Sequence, residues 1–346
     1  MDKKFLEEML ATGSVGGHEI KLQKKVIEHM QGISDKVIKD TIGNVIQVLN
    51  PDSDVKILLC GHIDEIGLII TSIQDDGYIK VNKVGGVRPL LYLGTHVDIE
   101  TKDGIVNGVI IADPSLFKKS DIEAKDLTID IGARNKEEAL RHVHVGDPVF
   151  ASTTYRYLLN DRMAARAFDD RIGAFIILEA LKKAKAKGAK VGVYAATTVG
   201  EETTAHGAYW ASQKVKPTLA IAVDVTYTSD YHGVDSSVSG EVALDKGPVL
   251  CKGAMISEKI NALLEGSAKE LGISIQYEVA GGKTMTDADK VHFTNDGVPV
   301  ALVSIPLRYM HSSIETLSLK DVKDIIDLLA DFLVRYDKDI DLDPFG

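Results

Sequence analysis

Apolar positions along this chain follow more than one rhythm. In the first forty residues they recur at helical spacing: Phe5, Leu6 and Met9 share a face, and Gly13, Gly16 and Gly17 interrupt. A second amphipathic helix is expected over roughly residues 19–31. VIKD, GNVIQVLN and VKILLCGH then read as short strands separated by Gly, Asn and Pro-Asp turns. From about residue 69 to about 160 short alternating segments recur: IITSI, YIKVNKV, HVDIET, GIVNGVII, DLTIDIG and PVFAST. Turn residues fall between them, and one short helical stretch is expected near Lys136–His142. This is the pattern of a small all-β barrel or sandwich. RHVHVGD, with His142 and His144 alternating, reads as one more strand of it, with both imidazoles facing solvent.

Beyond Asp169 the rhythm becomes regular α/β. A helix is expected over about Arg171–Lys187, then strand VGVYAATTV, a helix near Gly207–Gln213 and strand LAIAVDV. Further on come a helix near Ser257–Leu271, strand SIQYEVA, a short helix near Asp287–Asn295, strand VPVALVSI and a last helix over about Ser318–Tyr336. Unbroken apolar strands between amphipathic helices indicate a mixed sheet covered by helices on both faces. The expected architecture is an α/β catalytic domain made from residues 1–68 and 161–346, with a β-rich domain of residues 69–160 inserted between the two parts.

Length agrees, since 346 residues exceed the ~250–300 at which a single core stops growing. No apolar run reaches the ~18 residues of a membrane helix. The start, MDKKFLEEMLATG, is amphipathic and lacks a signal peptide's apolar centre, so a cytoplasmic protein without a membrane partner is expected. Cys60 and Cys251 lie in or beside apolar runs and are expected as free buried thiols. A net charge of −11 argues against nucleic acid as a partner.

The chemical signal is where His and acidic residues fall. VKILLCGH ends in His62, VGVYAATTVG runs into Glu201 and Glu202, LAIAVDV carries Asp224, and VPVALVSIPLRYM leads to His311. Ligands of open α/β sheets bind beyond the carboxyl ends of strands, so these groups are expected to converge. Asp169, at the start of the long helix, joins them where the helix dipole favours an anion. Two His, three carboxylates and one spare Glu suit two divalent ions sharing an Asp, with positions left for water and substrate. Imidazole with carboxylate and no thiolate suits Zn or Co, with Mn and Fe open. Adjacent glutamates at a strand end point to different sides, so Glu202 is expected to bind metal and Glu201 to act as general base. Asp64 is placed to accept the second N–H of His62 and fix its tautomer.

These segments, with SVGGHE at 14–19, GHIDEIG at 61–67, AFDDRIG at 167–173, GEE at 200–202, VD at 223–224, TDA at 286–288 and RYMHS at 308–312, resemble the tetrahedral aminopeptidases, a glutamyl aminopeptidase-like family of dinuclear metallopeptidases. The resemblance covers nearly the whole chain. It implies that His62 and Asp224 hold one metal, His311 and Glu202 the other, and Asp169 bridges them. It also implies a cis peptide bond after Asp169, Glu201 as base, and peptide substrates with a free N-terminus. The inserted domain would mediate dimerisation, with dimers assembling into a hollow dodecamer. Thr286, Asp287 and His206 are expected near substrate. The chain departs from the family pattern at Gly200, at Thr203–His206 and at Lys283–Met285. Rival readings of the same residues are a dinuclear-metal deacylase or carboxypeptidase-like amidohydrolase, and a non-catalytic assembly protein. Gly85-Gly86 in KVGGVRP reads as a plain turn, since no Lys-Ser/Thr or helix follows.

Overall fold

A computed structural model describes residues 1–152 and 155–345 and, for residues 238 and 239, the backbone alone. Helices Lys3–Ala11 and Ile20–His29 lead into strands β1 (Lys36–Lys39), β2 (Val45–Leu49) and β3 (Lys56–His62). Strands β4 (Gly67–Ile73), β5 (Ile79–Val84), β6 (His96–Thr101), β7 (Gly104–Ile110), β8 (Thr128–Asp130) and β9 (Pro148–Ala151) follow. They close into a barrel in the order β4-β5-β8-β7-β6-β9. Leu68, Ile70, Ile79, Val81, Val97 and Ile99 fill its interior, which accounts for the period-two alternation of these segments. RHVHVGD is a turn rather than a strand. His142 N–H donates to Ala139 O and His144 N–H to the Asp147 carboxylate, so local partners take the donors a ladder would need. Val143 is buried in the barrel core, and both imidazoles are exposed.

The chain returns through β10 (Arg156–Tyr157) and β11 (Arg162–Ala165), the long helix Phe168–Ala186, β12 (Gly192–Thr198), helix His206–Val215 and β13 (Leu219–Tyr227). It ends with β14 (Val249–Gly253), helix Glu258–Leu271, β15 (Gln276–Ala280), β16 (Val300–Leu307), β17 (Glu315–Ser318) and helix Leu319–Arg335. The short helix expected near Asp287–Asn295 covers only Ala288–Val291. The Thr294 hydroxyl donates to Val291 O, and Asn295 adopts φ 52°. Among the described residues no helix is long and apolar enough to cross a membrane.

The main sheet runs β1-β2-β12-β3-β13-β16-β14-β15. Its centre is parallel, β12 with β3, β3 with β13 and β13 with β16, while β2 and β14 flank that centre antiparallel. Both faces are buried. Ile57, Leu59, Val193, Ala195, Ile221 and Val223 pack on one side, against the Phe168 and Leu319 helices. Their neighbours Leu58, Cys60, Tyr194, Ala196, Ala220 and Ala222 pack on the other, against the His206 helix. A strand buried on both faces has no polar phase, so these segments read as unbroken apolar runs. Cys60 and Cys251 are free and buried.

The end of β3 is held from three directions by Glu65. Its Oε1 accepts from Ser14 N–H at 3.0 Å and pairs with Arg171, and its Oε2 pairs with Arg166. Burial alone would raise this carboxyl, but Arg166 and Arg171 outweigh it and leave the group below its usual range. Ser14 Oγ donates to Ile63 O at 2.6 Å. The SVGG segment is thereby pinned beside the strand end that carries His62.

The Phe168 helix starts unusually close to the sheet. A Cβ on Gly61 would stand 2.6 Å from Ala174 N and 2.6 Å from Gly173 C, and one on Gly173 would stand 2.4 Å from Val223 O. Gly61→Ala therefore forces β3 and the helix apart at the point that sets His62 against Asp169. Overpacking of this kind costs about 1–3 kcal/mol. The expected result is a lowered thermal unfolding midpoint. A variant melting with the wild type would show that the backbone yields at no cost.

Candidate active site

Parallel alignment brings the functional side chains to one edge of the sheet. Thr198 at the end of β12 is in register with His62 at the end of β3, and Asp224 of β13 with Ser304 of β16. The chain leaving β12 presents Glu201 and Glu202, and the chain leaving β16 presents His311. Asp169 enters from the first turn of the Phe168 helix, where Asp169 and Asp170 have non-helical backbone angles and share a cis peptide bond.

Asp169 lies between the two imidazoles. Its Oδ1 is 3.1 Å from His62 Nε2 and its Oδ2 is 3.1 Å from His311 Nε2. Glu202 Oε1 is 3.5 Å from His311 Nε2, and Glu201 Oε2 is 3.7 Å from His62 Nε2. His62 Nδ1 is 3.2 Å from the Asp64 carbonyl oxygen and 3.5 Å from Asp64 Oδ1. The Asp64 carboxylate also fixes the backbone opposite, accepting the N–H groups of Glu201 at 3.0 Å and of Glu202 at 3.1 Å.

Two triads have ligand atoms within 4.8 Å of one another: His62, Asp169 and Glu202, and His62, Asp170 and Asp224. Asp170 is not among the residues that the sequence singles out. Its oxygens already accept from His62 N–H at 3.1 Å and Gly173 N–H at 3.0 Å. Glu315 carries no signal in the sequence either. It accepts from Asp169 N–H at 3.1 Å and His311 N–H at 2.8 Å, so one buried carboxylate orients both residues. It holds His311 in the left-handed region, at φ 62°, where a non-glycine residue stays only if its surroundings demand it.

The electrostatics point to missing positive charge. Burial, reinforced by the Asp169 charge, pushes Glu202 well above the usual carboxylate range. Burial does the same to Asp224, against the opposing pull of His62. Burial raises Glu201 to about 8, with His62 opposing and Asp287, Asp169 and Asp64 adding to the rise. For His62, burial alone would lower the imidazole, but the carboxylates of Asp169, Asp64 and Glu201 outweigh it and raise it well above its ordinary value. Glu202 Oε1 is buried with no hydrogen-bond partner among the described residues. Imidazoles, an orphaned carboxylate oxygen and an Asp divided between two His are a donor set that fits divalent cations.

A cavity of about 550 Å³ opens over this cluster and is lined by Asp169, Glu201, Glu202, Asp224 and His311. Thr286 lines it too. Asp287 and His206, also expected near substrate, are not on its wall. Asp287 is buried and accepts from Thr198 Oγ1. The exposed His206 ring fills the space where a side chain at residue 200 would stand, 2.1 Å from an ideal Cβ on Gly200. Two of the departures from the family pattern therefore explain each other. Gly85-Gly86 is a turn, but not an idle one: a Cβ on Gly86 would stand 2.5 Å from the His311 ring, and one on Gly85 3.1 Å from Glu202 Cβ.

Comparison with known proteins agrees with this chemistry. Residues 43–328 match the M42 glutamyl aminopeptidase family. A putative aminopeptidase of Acetivibrio thermocellus is 35% identical over 92% of this chain and 95% of its own length. A TET aminopeptidase of a marine sediment archaeon, Thaumarchaeota archaeon SCGC AB-539-E09, superposes with a TM-score of 0.91 at 31% identity, covering 97% of this chain and 96% of that one. The TET1 peptidase of Pyrococcus horikoshii, described as able to assemble into a tetrahedron or a large octahedral shell, superposes with a TM-score of 0.86 at 32% identity over 96% of this chain and 99% of its own. Because the family match begins before β3 and runs past His311, it encloses the whole cluster: the chain belongs to the M42 glutamyl aminopeptidase family and is a metal-dependent aminopeptidase.

Proposed function

We propose that the chain removes N-terminal residues from peptides at a dinuclear site. In this reading His62 and Asp224 would hold one divalent ion and His311 and Glu202 the other, with Asp169, which faces both imidazoles, serving both. The observation that carries this reading is the division of the Asp169 carboxylate, one oxygen 3.1 Å from each imidazole. Zn or Co suits the donors, since neither triad contains a thiol. Bound there, such ions supply Lewis-acid polarisation of the scissile carbonyl and make water acidic enough to ionise near neutral pH.

The residues of the chain do the rest. Glu201 lines the cavity without belonging to either triad, so its carboxylate is free to take the proton of the attacking water and pass it to the leaving amine. Asp64 holds the Glu201 backbone and so aims that carboxylate. Gly86 closes the cavity beside His311 and limits the volume open to water.

We propose further that the chain is cytoplasmic, consistent with its free buried thiols, and works as a homo-oligomer assembled from dimers into a dodecamer. The assembly described for the Pyrococcus horikoshii relative supports this, as do exposed apolar residues of the inserted domain: Leu90 at 64%, Leu91 at 44% and Phe117 at 64% exposure.

Chelation should abolish release from aminoacyl-p-nitroanilides, and Zn or Co should restore it. Glu201→Gln should lower kcat at least ~10²-fold on general-base magnitudes, with KM little changed. Near-wild-type turnover by that variant would remove Glu201 from its role, and a preference for N-blocked peptides would favour a deacylase.

Metal removal should also reverse the pH dependence of stability. Folded-state pKa values raised above the unfolded ones, at Glu201 (about 8), Asp287 (about 6), Glu202, Asp224 and His62, mean the folded protein holds protons that the unfolded chain releases. Stability then falls as pH rises. The metal-free thermal midpoint should drop between about pH 5 and pH 8. Saturating metal should raise the midpoint most at the upper end of that window. A metal-free midpoint that rises with pH would contradict the charge imbalance. Light scattering tests the assembly: a mass near twelve chains is expected, and a strict monomer rejects it.

A further inference from the structure

The active-site cavity carries one more carboxylate, away from the metal cluster. Glu278 sits on β15, three places from β13 in the sheet, yet its side chain reaches back across it. Its Oε2 accepts from Thr226 Oγ1 of β13 and its Oε1 from Ser304 Oγ of β16, both at 2.5 Å. Glu278 and Thr226 line the same cavity as Asp224 and Glu201.

The distances suit a substrate side chain. Thr226 lies two residues beyond Asp224, on the same face of β13, a step of about 6.6 Å along a strand. That is close to the reach of lysine's four-carbon stem. The Glu278 carboxylate spans from Ser304, which is in register with Asp224, to Thr226, so a substrate whose N-terminal amine stands by Asp224 has its first side chain within reach of Glu278. Cys251, Ala280 and Leu302 on the cavity wall give the methylenes an apolar surface.

The charge balance is one-sided. Both partners of Glu278 are neutral hydroxyls, and no cationic side chain among the described residues pairs with it. Burial pushes its carboxyl above the usual range, with the Ser304 and Thr226 hydroxyls opposing. A half-buried carboxylate on the cavity wall, held by two neutral hydroxyls and lacking a counter-charge, favours a cation that arrives with a ligand. Lys283, the cationic side chain on the cavity wall, is exposed on the loop after β15. A hydrated surface charge selects far more weakly than a held one.

We propose that Glu278 reads the substrate's N-terminal side chain and that this chain acts preferentially on peptides beginning with lysine or arginine. The inference rests on the aminopeptidase reading of the same cavity. The test is initial rates of the metal-loaded full chain on Lys-, Arg-, Leu- and Glu-p-nitroanilide, for the wild type and for Glu278→Gln. The wild type should favour Lys and Arg over Leu and Glu by at least ~10-fold in kcat/KM, and the variant should lose about 10- to 100-fold of its Lys-to-Leu ratio. The wild-type ranking needs no variant, so it decides the matter even if the substitution misfolds. A wild type that favours Leu or Glu overturns the proposal, as does a variant that slows all four substrates equally. Release from none of the four, with two metals bound per chain, overturns the aminopeptidase reading itself and is thereby told apart from a failure of specificity alone.

Discussion

At the ends of its central parallel strands this chain gathers more buried negative charge than its own imidazoles balance, and the local structure is arranged around holding it. Three carboxylates are satisfied by backbone N–H groups, and those groups belong largely to the residues that face the cavity. Asp170 holds His62 N–H, Asp64 holds Glu201 and Glu202 N–H, and Glu315 holds Asp169 and His311 N–H. Each buried acid thus lowers its own desolvation cost while fixing the backbone of a neighbour whose side chain is left free. Among the described residues Asp224 accepts only from the N–H of Val225 beside it and Glu202 Oε1 has no hydrogen-bond partner, and burial raises both carboxyls. A site tied down at its backbone and short of positive charge at its side chains is preorganised for cations.

That arrangement depends on close packing beneath it. The Phe168 helix delivers Asp169 and Asp170 only because Gly61 and Gly173 let its first turn approach β3 and β13. Arg171, one residue on, is fully buried and pairs with Glu65, whose backbone is in turn bridged to Val15. The two stretches of sequence on either side of the barrel are therefore joined by a buried charge network as well as by sheet pairing. Removing one partner of such a network costs about 3–5 kcal/mol, because it strands the other charges. The same network sets the height of His62 relative to Asp169.

The fold is legible where burial imposes a simple period. β3, β12, β13 and β16 are covered on both faces, which leaves unbroken apolar runs, and each run stops at or near its chemistry. The barrel strands alternate because one face is wet. RHVHVGD mimics that alternation, since a buried valine between two exposed histidines looks the same in a turn as in a strand; only its backbone hydrogen bonds tell them apart. The cluster itself is legible through strand ends. Glu315 is not, because its role lies in accepting two backbone N–H groups across a loop, and nothing in its neighbours signals that. His206 has a role that the sequence does not disclose either. Its proximity in sequence to Glu201 suggests substrate, whereas its ring is spent on the space left by Gly200.

The inserted barrel also takes on a meaning that its sequence does not disclose. The turn after β5 crosses back to the main sheet, and Gly85-Gly86 rests on Glu202 and on the His311 ring at distances no side chain at those positions would permit. Gly86 is part of the cavity wall. The turn of the barrel therefore covers two of the candidate ligands. A displacement of the barrel against the sheet would carry that turn with it and so change the space beside His311. The left-handed backbone of His311 makes this contact consequential, because a residue kept at φ 62° by its surroundings has little freedom to follow. The barrel and the geometry of the candidate metal site are in this way mechanically linked by two glycines.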